Sequence, residues 1–381
     1  MNQLPKKLQK KLEDRESINA LRSLSDNSNL VDFSSNDYLG FSTSKIIFDK
    51  ALTILKEHDL EKNGATGSRL LSGNHSLYSL IESTIASFHN TETALIFTSG
   101  YDANLGFFSS VPQRGDFIFY DELCHASIRD GIQLSTAKSY KYKHDDLNDL
   151  MTMMERMPLN DGEVYVVTES VFSMDGDTPD LKAVSHFCAQ KKFHLVVDEA
   201  HAVGVFGETG AGKIQELELE QVVFARIVTF GKALGCHGAA VLGSKTLKKY
   251  LVNFARSFIY TTGLPPHSIA TLGAAYANLA DDKSQLQSLH RNIEILRLYV
   301  SRFQLEDHFI ASESAVHCCV IPGNDQVKIV SEKLKEKGFD VKAILSPTVP
   351  VGQERLRLCV HSFNSEEEIK NCIELIATFV K

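Results

Sequence analysis

The sequence predicts an α/β fold: a large domain with a mixed, mostly parallel sheet, followed by a small C-terminal α+β domain. Three observations predict it. Between about residues 45 and 280, short and nearly unbroken apolar runs alternate with helical patterns, as expected of strands covered on both faces. A long helical run, KSQLQSLHRNIEILRLYVSRF at 283–303, then interrupts the alternation. Beyond it a strand, a helix, a strand and a helix complete the chain. With 381 residues the protein exceeds one small domain.

The elements follow in order. Leu4, Leu8, Leu12, Ile18 and Leu21 recur at helical spacing among lysines and glutamates, which predicts an amphipathic first helix that SDNSN at 25–29 breaks. Strands are predicted at Ala94–Phe97, Phe117–Tyr120, Val164–Val167, His194–Val197, Ile227–Thr229 and Ala239–Leu242. In the last part, Ala315–Ile321 and Arg355–Val360 read as strands, Val327–Lys337 and Glu366–Val380 as helices. The expected division is an N-terminal helix and arm at 1–44, a large domain at 45–282 and a small domain at 283–381.

Composition narrows the class of function. Hydrophobic residues make up 43% and charged residues 23%, ordinary for a chain that buries a sizeable core. Acidic residues outnumber basic ones, 48 to 40, for a net charge of −8, which argues against a general nucleic-acid or anionic-membrane surface. No apolar run is long enough to span a membrane, and the charged N-terminus lacks the apolar core of a secretory signal. Seven scattered cysteines without a CxxC pair predict a reducing, cytoplasmic setting in which each thiol is a small hydrophobe.

Four local features carry chemistry. Lys232, in Thr229-Phe230-Gly231-Lys232-Ala233-Leu234-Gly235, directly follows an apolar strand. A lysine held there and partly desolvated can form a Schiff base with an aldehyde, although a solvated loop lysine would look alike. Asp198 ends the strand of Val196-Val197-Asp198-Glu199-Ala200-His201. A carboxylate at that depth is costly unless it meets a cation, and a protonated pyridine nitrogen would be one. A helix-capping aspartate with a surface His201 is the plainer alternative. Thr98-Ser99-Gly100-Tyr101 is a strand-to-helix turn whose free N–H groups suit a phosphate. His125, after another strand, could stack on a flat ring or simply cap a helix. Together these groups suit pyridoxal 5′-phosphate (PLP). No G-x-G-x-x-G follows the first strand, and no Walker lysine, HExxH metal spacing or G-x-S-x-G elbow occurs, so no metal is expected.

Nine motifs then carry a resemblance over nearly the whole chain. They are FSSNDYLGFS (33–42), GATGSRLLSGNHSLY (64–78), TSGYDANLGF (98–107), HASIRDG (125–131), ESVFSMDGDTPDL (169–181), VVDEAHAVGVFGETGAG (196–212), TFGKALGCHGAAVLGS (229–244), FIYTTGLPP (258–266) and PTVPVGQERLRL (347–358). Through them the chain resembles the α-oxoamine synthase family, PLP-dependent transferases of fold type I. It most resembles the branch that serves biotin synthesis by condensing L-alanine with a pimeloyl thioester, carried by coenzyme A or by acyl carrier protein, with loss of CO2.

The resemblance implies roles. Lys232 would hold the cofactor and move the Cα proton. Asp198 would pair with the ring nitrogen, and His201 and Ser173 would address the phenolic oxygen. His125 would stack on the ring and help proton transfer, which puts it with Lys232, Asp198 and His201 among the catalytic residues. Ser99, Gly100, Tyr101 and Thr229 would hold the phosphate, with Thr262 from the neighbouring subunit of a homodimer. Asn36 and Arg357 would bind the amino-acid carboxylate, Arg22 would sit at the acyl channel, and Glu169 would support the site. In Arg355-Leu356-Arg357-Leu358 both arginines share one strand face, which suits an anion or, without the resemblance, an exposed edge strand.

The match departs at three places. Leu345 stands where many members of that branch carry an arginine, Cys124 where an asparagine is common, and Cys236-His237 where the family has a small pair. These departures bear on the substrate. Sister activities with glycine and acetyl-CoA, or serine and a long acyl-CoA, stay open on the sequence alone. A silent binding protein or a dimerising scaffold fits less well with Lys232, Asp198 and His201 all present.

Overall fold

The computed structural model describes residues 4–22, 24, 29–157 and 162–380. Of the predicted breaker at 25–29, residues 25–28 lie outside the described residues. The strands are β1 (Val31–Asp32), β2 (Thr93–Phe97), β3 (Phe117–Asp121), β4 (Lys138–Tyr142), β5 (Val164–Glu169), β6 (His194–Asp198), β7 (Ala225–Thr229), β8 (Ala239–Gly243), β9 (Val316–Val320), β10 (Phe339–Asp340), β11 (Lys342–Ile344) and β12 (Arg355–Cys359). The chain divides into two compact units. One comprises Asn36–Ser173 and Thr178–Gln287, the other Met1–Ser35, Met174–Asp177 and Ser288–Lys381.

The larger unit is built on a seven-stranded sheet in the order β2-β8-β7-β6-β5-β3-β4. Strands β3 to β7 run parallel, and β8 is antiparallel to both β7 and β2. Two antiparallel steps restore the original direction, so β2 points the same way as the parallel set. The C-terminal ends of β2, β3, β5, β6 and β7 therefore share one rim, the edge where α/β sheets bind ligands. Alternate residues feed two apolar layers. Phe97, Ile118, Val167, Val196 and Ile227 belong to one, and Phe119, Val166, Leu195 and Val197 to the other. This two-sided burial explains why the central strands read as unbroken apolar runs.

Strand β4, KSYKY, escaped the sequence reading. It is an edge strand, exposed along most of its length, and so carries little of the apolar signal on which the others were found. The smaller unit holds a three-stranded antiparallel sheet, β11-β12-β9, and the β1-β10 pair. Its helices include Asn324–Glu336, Glu366–Val380 and, from Ser288 on, Ser284–Arg302, each within a few residues of its predicted place. The first helix spans Lys6–Ser17 and buries no residue. No helix among the described residues is long and apolar enough to cross a membrane.

Candidate active site

Sheet direction alone brings Ser99, Gly100, His125, Glu169, Asp198 and Lys232 to one rim. Asp198 ends β6, and β7 runs parallel beside it to Thr229, three residues before Lys232. Glu169 ends β5 in register with Asp198. The turn after β2 and the loop after β3 supply Ser99, Gly100 and His125. Two glycines bring the loops into contact. Gly235 has φ +58, and a Cβ there would lie 2.2 Å from the Ser42 backbone nitrogen. Gly204, at φ +76, would place a Cβ 2.4 Å from that of Ala233, so the His201 loop lies against the lysine loop.

Lys232 Nζ stands 2.6 Å from His201 Nε2, and His201 Nδ1 stands 2.7 Å from the hydroxyl of Tyr38. That hydroxyl donates to Asn36 Oδ1 at 3.1 Å. Asn36 is thereby linked to the lysine–histidine pair through the one side chain of Tyr38. Tyr38, fully buried, was not singled out from the sequence.

Asp198 is 5% exposed. Its Oδ2 accepts from Asn104 Nδ2 at 2.8 Å, and its Oδ1 accepts from the Ala200 backbone N–H at 2.9 Å. Both donors are neutral, and Asp198 has no ion pair among the described residues. Its neighbour Glu199 differs in this respect: Oε2 takes the Arg226 guanidinium at 2.6 Å, with both side chains buried. A buried carboxylate served only by neutral donors is a place for a cation, and a protonated pyridine nitrogen fits it.

Asn104 extends this arrangement. Its amide also donates to Ser127 Oγ at 3.0 Å, and Ser127 lies 2.8 Å from His125 Nδ1. Burial lowers the His125 pKa, so the ring is neutral and suited to lie against a flat ligand. The His125 backbone N–H donates to Glu169 Oε1 at 2.5 Å. Burial, reinforced by the charge of Asp198, pushes the Glu169 carboxyl well above the usual range. Asn104 and Ser127 were missed because each sits inside a motif whose other members drew the functional reading. The one available signal was a polar residue on the buried face of a helix, one turn after Gly100.

The turn 98–101 opens the helix Gly100–Ser110, with Ser99 Oγ accepting from the Asp102 N–H at 3.0 Å. A Cβ on Gly100 would lie 3.6 Å from Thr229 Oγ1, so the two predicted phosphate elements adjoin. Tyr101 directs its hydroxyl to Asp130 instead, leaving its backbone for any phosphate contact. Ser173 is buried. Thr262 forms a bridge with Ser68. Burial pushes the Cys124 thiol well up and that of Cys236 up to about 12, so both departures from the family pattern are inert thiols, while His237 is exposed.

In the smaller unit β12 is the central strand, not an edge. Arg355 and Arg357 are 4% and 7% exposed. Arg355 pairs with Asp175, and Arg357 Nη1 donates to Cys359 Sγ at 3.1 Å. Arg22 donates to Thr348 Oγ1 at 3.3 Å and lines a cleft of about 220 Å³ with Arg15, Ile344 and Leu345. The arginine singled out for the acyl channel and the leucine singled out as a departure thus share one cavity.

A family model described as aminotransferase class I and II matches residues 28–376. An 8-amino-7-oxononanoate synthase of Emericella nidulans is 40% identical over 378 residues, covering 93% of this chain and 90% of that protein. Among solved structures, the 8-amino-7-oxononanoate synthase of Francisella tularensis is 30% identical with a TM-score of 0.77, covering 93% of this chain and 98% of that one. A serine palmitoyltransferase of Sphingomonas wittichii is 25% identical with a TM-score of 0.90, covering 99% and 98%.

Proposed function

The chain belongs to the aminotransferase class I and II family, and on that footing we propose the reaction of an 8-amino-7-oxononanoate synthase. L-Alanine condenses with a pimeloyl thioester to give 8-amino-7-oxononanoate, CO2 and free thiol, a step of biotin biosynthesis. The observation that carries the chemistry is the rim where Lys232 meets His201 beside a buried Asp198 that has only neutral donors. The identity of 40% to a synthase of that name supports the substrate pair.

The enzyme is PLP-dependent. When bound, PLP supplies a protonated ring that takes up the electron pair left as the amino acid loses its α-proton. Asp198 would hold that ring nitrogen protonated. Ser99, Gly100, Tyr101 and Thr229 would bind the phosphate at a helix N-terminus, and His125 would cover one ring face. Ser173 and His201 would hold the phenolic oxygen. Lys232 Nζ would carry the α-proton off the amino acid and return one to the product. Asn36 Nδ2 would bind and orient the amino-acid carboxylate for the reaction. Arg357 would act as a bidentate carboxylate ligand.

In this reading residues 45–282 form the cofactor-binding domain, 283–381 a small domain and 1–44 an arm. Arg22 would hold part of the acyl donor, whether carried by coenzyme A or acyl carrier protein. The enzyme would work in the cytoplasm as a homodimer, Thr262 completing the phosphate site of the other subunit. The test is thiol release from pimeloyl-CoA with L-alanine, the product mass being checked. Glycine with acetyl-CoA and L-serine with palmitoyl-CoA run beside it. Turnover confined to the alanine–pimeloyl pair is expected, and turnover confined to another pair would reassign the substrate while leaving the cofactor chemistry in place.

A further inference from the structure

We propose that Tyr38 is a positioning residue: its hydroxyl fixes His201 as the tautomer whose Nε2 accepts a hydrogen bond from Lys232. The inference rests on the reading of Lys232 and His201 as the reactive pair, and two ends of one chain of contacts lead to it independently. At one end Lys232 Nζ, which as an ammonium only donates, stands 2.6 Å from His201 Nε2. A neutral imidazole with Nε2 accepting must carry its proton on Nδ1. At the other end the single hydroxyl proton of Tyr38 goes to Asn36 Oδ1 at 3.1 Å. Toward His201 Nδ1, 2.7 Å away, the same oxygen can then only accept. Both ends demand an N–H on Nδ1. The donation runs one way, from Lys232 through His201 and Tyr38 to Asn36.

The alternative arrangement fails at Lys232. If Tyr38 donated to Nδ1, the proton on Nε2 would face the ammonium hydrogens across 2.6 Å. Tyr38 is fully buried, so no bulk water competes for its oxygen, and its ring holds that oxygen at a set distance from Nδ1. The consequence is a route for one proton. The Nζ–H bond breaks, an Nε2–H bond forms, and the positive charge passes from lysine to imidazole, whose Nδ1–H is already received by Tyr38. Lys232 is left as a neutral amine with the lone pair that attack on an aldehyde requires. Tyr38 touches neither aldehyde nor substrate in this scheme and acts only through His201.

The test uses the full-length chain labelled with ¹⁵N-histidine. In the wild-type protein stripped of cofactor, two-bond ¹⁵N–¹H correlations should show His201 protonated on Nδ1 and bare on Nε2. Protonation on Nε2 there would overturn the proposal, and this measurement needs no variant. In Tyr38→Phe the ring stays and the hydroxyl goes, so the tautomer should become mixed. The rate at which PLP restores the near-visible absorbance should fall about tenfold, less than the hundredfold or more expected on removing a proton acceptor outright. Affinity for pyridoxine 5′-phosphate, which has no aldehyde, should be unchanged. Restoration at the wild-type rate with an unmixed tautomer would also overturn the proposal. A wild-type chain that takes up no PLP would instead refute the functional reading, and the tautomer would still be measured.

Discussion

Each unit buries two like charges close together in sequence, at the end of β6 in one and along β12 in the other. On the rim of the larger sheet, Asp198 and Glu199 are consecutive buried carboxylates. Glu199 is matched by Arg226, and its Oε1 also accepts the Ile214 N–H at 2.9 Å. Asp198 receives only an amide and a backbone N–H. On β12 of the smaller unit, Arg355 and Arg357 are buried together. Arg355 meets Asp175, while Arg357 donates to the Cys359 thiol. Arg226 and Asp175 supply full counter-charges to Glu199 and Arg355. Asp198 receives only neutral donors, the arrangement on which its proposed role rests. The contrast between Asp198 and Glu199, more than the burial of either, is what the proposed division into a chemical and a structural carboxylate rests on.

The largest expected effect comes from breaking the matched pair. Glu199→Gln leaves Arg226 charged in a dry site, a loss of about 3–5 kcal/mol, readable as a lowered urea midpoint at unchanged slope. Breaking the other carboxylate should do the reverse. Asp198→Asn should shift stability by less than about 1 kcal/mol, since its donors are neutral. It should slow α-proton exchange of L-alanine by roughly a hundredfold or more, because nothing then holds the cofactor ring protonated. Exchange at the wild-type rate would remove Asp198 from its role. A smaller effect should follow Arg357→Lys, which keeps the charge and loses the fork. The KM for L-alanine should rise about tenfold, near 1.4 kcal/mol, with kcat little changed. A drop in kcat at constant KM would argue against carboxylate binding.

Much of this was legible beforehand, and for a physical reason. Asp198, Thr229 and Lys232 follow runs of apolar β-branched residues, so strand ends could be read directly, and parallel strands share a rim. Asn36 was singled out through a motif. The route from Lys232 to Asn36 was not, because it passes through Tyr38, whose place 163 residues from His201 is set by tertiary packing. Asn104 was hidden likewise: its two contacts, Ser127 and Asp198, lie on other elements. The burial of Arg355 and Arg357 turned on whether β12 was central or an edge, a matter of sheet order on which alternation is silent.

The sheet order also sets a timetable for the chain as it leaves the ribosome. Strand β2 pairs only with β8, and Thr93 finds Gly243 150 residues later. The larger sheet can therefore close as soon as β8 emerges, with Lys232 already in place. The smaller unit waits longer, because Ser34 binds Asp340 across 306 residues. After Gly243 a further 97 residues must be made before Asp340 emerges, roughly 5–20 seconds at about 5–20 residues per second. For that interval the nascent polypeptide would carry Lys232 on a finished sheet while Val31–Asp32 still lacks the strand it pairs with.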